Sequence, residues 1–403
     1  MRYGQSKSWG CLGGVFLLLT GLVWGPAPID AQEVIKVGIV LPLTGEKAKF
    51  GEIEKNSFLM ALNEINKAGG VKGKKIELLI EDDTGKPDIA RAAVEKLVSK
   101  DNVVMLGGGY GSSETYSIAG VAQQKKIPFL INTGSADDIT SKGWNYVFRL
   151  NPPVSEYANA AESFYKEVAK PKTAVILFEN TLFGTSGSKD AEKTLKEMGV
   201  QMLLKEGYEH GAVDFKPLLI KVKNANPDLI YMISYVMDAA LLMRQSMELD
   251  INPKMFVGGG AGFTLPDFYQ NAGKAAEGVF SADLWVPTLP YPGAMDYFKN
   301  YKKQFGKDTE YHGAEAYAAM QVIADVLKRA KTFSAEDIRQ ALAATDMMTV
   351  FGKVKFASYG KMTNQNKVPT YLVQWIKGKL ECVWPKEVAT APYQYPHKAW
   401  KSR

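Results

Sequence analysis

The chain has 403 residues, 46% hydrophobic and 23% charged, which places it with globular proteins rather than disordered ones and leaves room for two domains. Its formal charge of +6 is spread over scattered lysines with no basic run, which argues against a nucleic-acid surface. Two cysteines give no disulfide framework, and three histidines without a ligand spacing give no metal motif.

Met1–Ala31 reads as a secretory signal, to be removed after Ala31. Arg2 and Lys7 precede the apolar run GCLGGVFLLLTGLVWG, and PAPIDA supplies the breakers and small residues of a cleavage site. Cys11 leaves with it, so Cys382 stands alone and the mature chain depends on its core; roughly 370 residues can build one. No later run is long and charge-free enough to span a bilayer. The expected location is the periplasm.

From Val34 the elements alternate. VIKVGIVLPL is a buried strand, and Phe50–Lys67 an amphipathic helix ended by Ala68-Gly69-Gly70. The strand KIELLIED, a helix over Pro87–Ser99, the strand VVMLGG, a helix from Ser112 and the strand IPFLIN complete a β-α-β unit. After FRLNPP the rhythm restarts with the strands TAVILFEN, VQMLLKEGYEH, DLIYMISY and KMFVGGG, separated by helical segments. The expected fold is therefore α/β: two Rossmann-like lobes with parallel, doubly wound sheets and a multi-strand hinge. Pro152-Pro153 marks the first crossing, GVFSADLW a return, and Gly352–Thr363 a third. This assigns 34–150 with 282–350 to lobe 1, 151–281 with 351–385 to lobe 2, and 386–403 to a C-terminal tail. The helix Glu315–Ala330 is too apolar to lack a sheet to cover.

The loop GGGYGSSE (residues 107–114) follows a strand and opens a helix. Its glycines admit another molecule to the backbone, and Ser112 and Ser113 stand where helix N–H groups and dipole favour an anion. No lysine follows for a Walker loop, Ser112 takes the place of the last fingerprint glycine, and G-x-S-x-G is absent. A carboxylate site and a plain glycine turn with Ser112 as cap remain equally open from this loop alone. A second loop, Thr133-Gly134-Ser135-Ala136, follows the next strand, and two adjacent donor-rich loops favour a carboxylate clamp. Past strands of the second lobe stand Phe183, Tyr235 and Phe263, a candidate apolar wall. Asp238 follows Tyr235 and reads first as a helix N-terminal acid. Asp82-Asp83 reads as a turn, and no nucleophile–base constellation supports an enzyme.

Taken together, IKVGIVLPLTGEKAKFG, ALNEINKAGGVKGKKIELLIEDD, GGGYGSSETYSIAGVAQQKKIPFLINTGSA, FRLNPP and AYAAMQVIADVLKRA resemble, in order, the leucine/isoleucine/valine-binding type of periplasmic substrate-binding protein. The resemblance covers nearly all of the mature chain. It implies the type I periplasmic binding fold, three crossings, and closure around a small ligand for an inner-membrane ABC permease and ATPase. It further implies a monomer without cofactor, metal or nucleic acid. By this likeness the ligand carboxylate meets Ser112, Ser113, Ser135 and Ala136, with Tyr110 in the same loop. Phe50 and Tyr235 take aromatic positions, and Phe183 stands where a tyrosine is common. Amino-acid binders of this type carry an acid after the FVGGG-type strand to meet the ligand ammonium; here Gly260 stands there, with Ala261 and Gly262. The resemblance therefore points to a carboxylate with an apolar or aromatic body, or to an amino acid if Asp238 faces the cleft. A sensor of the same fold, such as an amide-type sensor, is the alternative.

Overall fold

The structure, a computed structural model, describes residues 34–402. The expected signal, Met1–Ala31, lies outside the described residues.

The chain forms the strands β1 (Ile35–Leu41), β2 (Ile76–Asp82), β3 (Met105–Gly108), β4 (Phe129–Ile131) and β5 (Val147–Arg149). There follow β6 (Thr173–Glu179), β7 (Gln201–Tyr208), β8 (Leu229–Ile233), β9 (Met255–Gly258) and β10 (Phe280–Asp283). The last six are β11 (Asp346–Thr349), β12 (Gly352–Lys355), β13 (Ala357–Tyr359), β14 (Met362–Gln365), β15 (Tyr371–Ile376) and β16 (Lys379–Trp384). One seven-stranded sheet runs β13-β14-β5-β4-β3-β1-β2; a second runs β16-β15-β10-β9-β8-β6-β7. β1 to β5 pair in parallel, as do β6 to β10. The two α/β lobes read from the sequence are thus present.

Parallel strands must be covered on both faces, which is why β1 is apolar along its length. Val37, Ile39 and Leu41 face the core shared with helices Ala48–Lys67 and Tyr311–Arg329, while Val40 faces the core of helices Pro87–Ser99 and Ser112–Lys125. The apolar helix near the C-terminal third covers the first sheet, as its composition demanded.

Two boundaries differ from expectation. GVFSADLW is not itself a crossing, because β10 lies inside the second sheet, parallel to β9 and antiparallel to β15. The third crossing falls after Gln365 rather than at Gly352, so residues 351–365, expected in lobe 2, belong with lobe 1. The cause is Arg149, which is fully buried in β5. Its guanidinium donates to Gln365 Oε1 (2.6 Å), Thr140 Oγ1 (2.9 Å) and the Ala136 carbonyl (2.7 Å). A buried guanidinium needs those acceptors, and Gln365 ties β14 to β5. The expected tail also packs against lobe 2: the Trp400 indole N–H donates to the Ile251 carbonyl at 2.7 Å, and the His397 amide to Lys254 at 2.8 Å.

Candidate ligand-binding cleft

In both lobes the loops at the carboxyl ends of the parallel strands meet across the cleft, where α/β sheets place ligands. The serine loop after β3 opens helix Ser112–Lys125. Ser112 Oγ accepts from the Ala136 amide at 3.1 Å, so the loops after β3 and β4 are stitched side by side. Thr133, Ser135 and Ser112 line one wall of a cavity. Gly134 is required between them: a Cβ there would stand 2.4 Å from Thr115 Oγ1.

The opposite wall comes from lobe 2. Phe183 and Tyr235 stack at 5.6 Å between ring centroids, and Ala261 closes the end. Tyr110, Tyr157, Tyr311 and His312 complete the lining. Behind Tyr110 lies Phe50, stacked on it at 4.5 Å and edge-on to His312 at 4.8 Å. The lobes are closed on each other. The Ala261 amide donates to the Tyr311 hydroxyl at 2.9 Å, and the Ser112 amide meets the Tyr235 hydroxyl. The enclosed space is about 10 Å³, room for about one water. A larger cavity of about 530 Å³, lined by Trp285, Phe298, Glu310 and Trp375 among others, contains none of the serine-loop donors.

The electrostatics are set by burial. Thr133 Oγ1 lies 2.6 Å from Glu54 Oε1 and 2.8 Å from Glu315 Oε2, and also accepts from the Asn132 side-chain amide. One hydroxyl proton cannot serve two carboxylates, so the pair retains a proton. Consistently, burial pushes Glu54 up to about 8, and burial also raises Glu315 well above the usual carboxylate range. Lys47 Nζ pairs with Glu114 Oε1 at 3.0 Å and sits 4.7 Å above the Tyr235 ring. Burial pulls the His210 ring down, but Asp238 and Glu179 outweigh it and hold it up at about 10.

Of the expected site residues, Tyr110, Ser112, Ser135, Phe183 and Tyr235 line this cavity together. Phe50 backs it. Ala136 stands behind the wall, its amide taken by Ser112. Ser113 faces the other lobe instead, its Oγ accepting from the Leu182 amide at 3.4 Å. Asp238 is turned to His210 Nδ1 at 2.9 Å. Phe263 is fully buried, packed on Phe268 and under Gly258, and belongs to the lobe core. Gly260 has φ 76° and ψ −149°, a glycine region, and a Cβ there would press on the Tyr157 ring at 3.1 Å. Sequence reasoning missed Tyr157, Tyr311 and His312 as liners. Tyr157 stands just past the double proline at the first crossing, the one signal that placed it near the hinge.

The sequence pattern of the family described as "Periplasmic binding protein" matches residues 34–379. The chain belongs to that family. It is 29% identical over 396 residues to Leu/Ile/Val-binding protein homolog 7 of Brucella melitensis, covering 95% of this chain and 98% of the relative. Its fold matches a leucine-binding protein of Thermotoga maritima with TM-score 0.80 at 22% identity, over 86% of this chain and 97% of that one. It matches a solute-binding protein of Rhodopseudomonas palustris in complex with 3,4-dihydroxybenzoic acid with TM-score 0.77 at 20% identity, over 92% and 99%. The two-lobed fold thus recurs in proteins whose names carry an amino acid and an aromatic acid.

Proposed function

We propose that this chain, a substrate-binding component of an ABC transporter of the branched-chain amino acid type, closes on a small carboxylate with an apolar or aromatic body. Exported by its N-terminal signal, it presents the closed form to the membrane permease and ATPase; closure by hinge motion is the state a permease can read. The carboxylate is assigned to Ser112, Ser135 and the start of helix Ser112–Lys125, where hydroxyls and the helix dipole favour negative charge. The apolar body is assigned to the Phe183–Tyr235 wall, and the lobes part to admit it, because the space between them here holds about one water.

The observation that carries this reading is Gly260. Its backbone excludes an acid, Glu54 and Glu315 each turn one oxygen to Thr133 behind the cavity wall, and Asp238 turns to His210. An unpaired ligand ammonium would cost several kcal/mol on burial. Small molecules retained on the purified protein, identified by mass, test this. A carboxylic acid without an α-amino group is expected; a retained α-amino acid would overturn the ligand class while leaving the transport role intact.

A further inference from the structure

Three residues far apart in the sequence converge at the ends of adjacent strands in lobe 2. Glu179 ends β6, His210 follows β7, and Asp238 lies in the first turn of helix Val236–Glu248 after β8. Strand order reverses between β6 and β8, the position where α/β sheets open a crevice. One ligand atom from each residue lies within 4.8 Å of the others. His210 Nδ1 is 2.9 Å from Asp238 Oδ2 and 3.1 Å from Glu179 Oε2. Both acids are buried, with side chains 3% and 0% exposed. A single ring proton serves one acceptor, Asp238, and Glu179 Oε2 has no hydrogen-bond partner. The imidazole nitrogen thus lies between two buried carboxylate oxygens and can hydrogen-bond only one of them, an arrangement of three donor atoms around one point.

We propose that Glu179, Asp238 and His210 bind a divalent transition-metal ion of the zinc class, through one oxygen of each acid and Nδ1 of the imidazole. Two carboxylates and a neutral histidine are a donor set that zinc accepts. Zinc bonds of about 2.0–2.1 Å put tetrahedral ligand atoms about 3.3 Å apart, so the two nitrogen–oxygen spacings, 2.9 and 3.1 Å, need to open by a few tenths of an ångström, and the two acid oxygens lie within 4.8 Å of each other.

The surroundings hold the donors in position. Thr181 Oγ1 donates to Glu179 Oε1 at 2.6 Å, and the Gly211 amide to Asp238 Oδ1 at 3.2 Å. His210 Nε2 lies 2.8 Å from Glu46 Oε2, a carboxylate of lobe 1. With the metal on Nδ1, Nε2–H donates to Glu46, the carboxylate–imidazole–metal arrangement that orients metal-bound histidines. Because Glu46 comes from the other lobe, ion binding favours the closed form. The pattern escapes sequence motifs because its members sit on three separate strand ends.

The test is metal uptake by the purified protein after removal of metal with a chelator. Calorimetry with Zn²⁺ and visible spectroscopy with Co²⁺ are expected to show one ion per chain, with the Co²⁺ bands of low-coordinate nitrogen and oxygen ligation. Asp238→Asn and His210→Ala are expected to weaken uptake tenfold or more, and Glu46→Gln about tenfold, with circular dichroism verifying each fold. No uptake by the unaltered protein, or equal uptake by it and by a folded Asp238→Asn, would overturn the proposal. Should the variants fail to fold, the Co²⁺ spectrum of the unaltered protein decides: a weak, octahedral, water-like spectrum counts against the site.

Discussion

The two lobes repeat one topology and put different chemistry on it. Past its second strand and in the helix after its third, lobe 1 carries Asp83 and Glu114; lobe 2 carries His210 and Asp238 at the matching places. Lobe 1 answers its acids with the buried lysine Lys47, 3.0 Å from Glu114, and burial still pushes Asp83 up to about 7. Lobe 2 answers with an imidazole, and in each lobe carboxylate oxygens stay without a hydrogen-bond partner: Asp83 Oδ2 and Glu114 Oε2 in the first, Glu179 Oε2 in the second. The walls divide in the same way: lobe 1 brings hydroxyls and a helix start, lobe 2 brings Phe183 and Tyr235. Strand order fixes where a ligand sits, and the residues at the strand ends fix which of its ends faces which lobe.

The largest effect that would break this division is on the plate shared by both walls. Phe50→Ala removes a ring packed on Tyr110, His312 and Tyr235 and is expected to cost about 3–5 kcal/mol of stability, read as a lowered urea midpoint. Next comes the polar wall. Ser112→Ala is expected to weaken carboxylate binding by about 1.5–3 kcal/mol, or roughly 10- to 150-fold, by calorimetry, and to lower the melting temperature modestly, because the buried Ala136 amide loses its acceptor. Ser113→Ala, whose hydroxyl faces Leu182 rather than the cavity, should change affinity far less.

Proton uptake sharpens the contrast further. The folded state holds a proton on Glu54 up to about 8, against an ordinary value of 4.5. Its contribution to stability is fully present below 4.5 and is lost as pH rises through about 8. Stability is therefore expected to fall by up to about 1.4 kcal/mol for each pH unit across that window, and Glu54→Gln should flatten the fall in a series of denaturant titrations. The smallest effect belongs to the aromatic wall's polar tip. Tyr235→Phe removes the hydroxyl that meets the Ser112 amide and is expected to lower the stability of the unliganded protein by about 0.5–1.5 kcal/mol, measured by thermal unfolding.

Much of this arrangement is legible from the sequence, for stated reasons. Apolar runs such as IKVGIVL must be buried on two faces, and that announces parallel sheets. The serine loop and the Thr133–Ala136 loop follow consecutive strands, so their neighbourhood follows from topology. What stayed hidden depends on long-range partners. The place of 351–365 in lobe 1 is decided by Arg149 meeting Gln365, which no local periodicity reveals. Phe263 and Phe183 stand alike after strands, but only packing sends the first into the core. His312 and Tyr311 start a helix whose apolar stripe says core, while the cavity they line depends on closure of the other lobe.

The central claim is that the cleft takes a carboxylate and, with Gly260 in place of an acid, favours a ligand without an ammonium. Calorimetric titration of the ligand-free protein with a benzoate-type acid and with leucine tests it most directly. Saturable binding of the aromatic acid, with leucine bound far more weakly or not at all, is the expected result. Tight binding of leucine, with no heat from the aromatic acid, would contradict it.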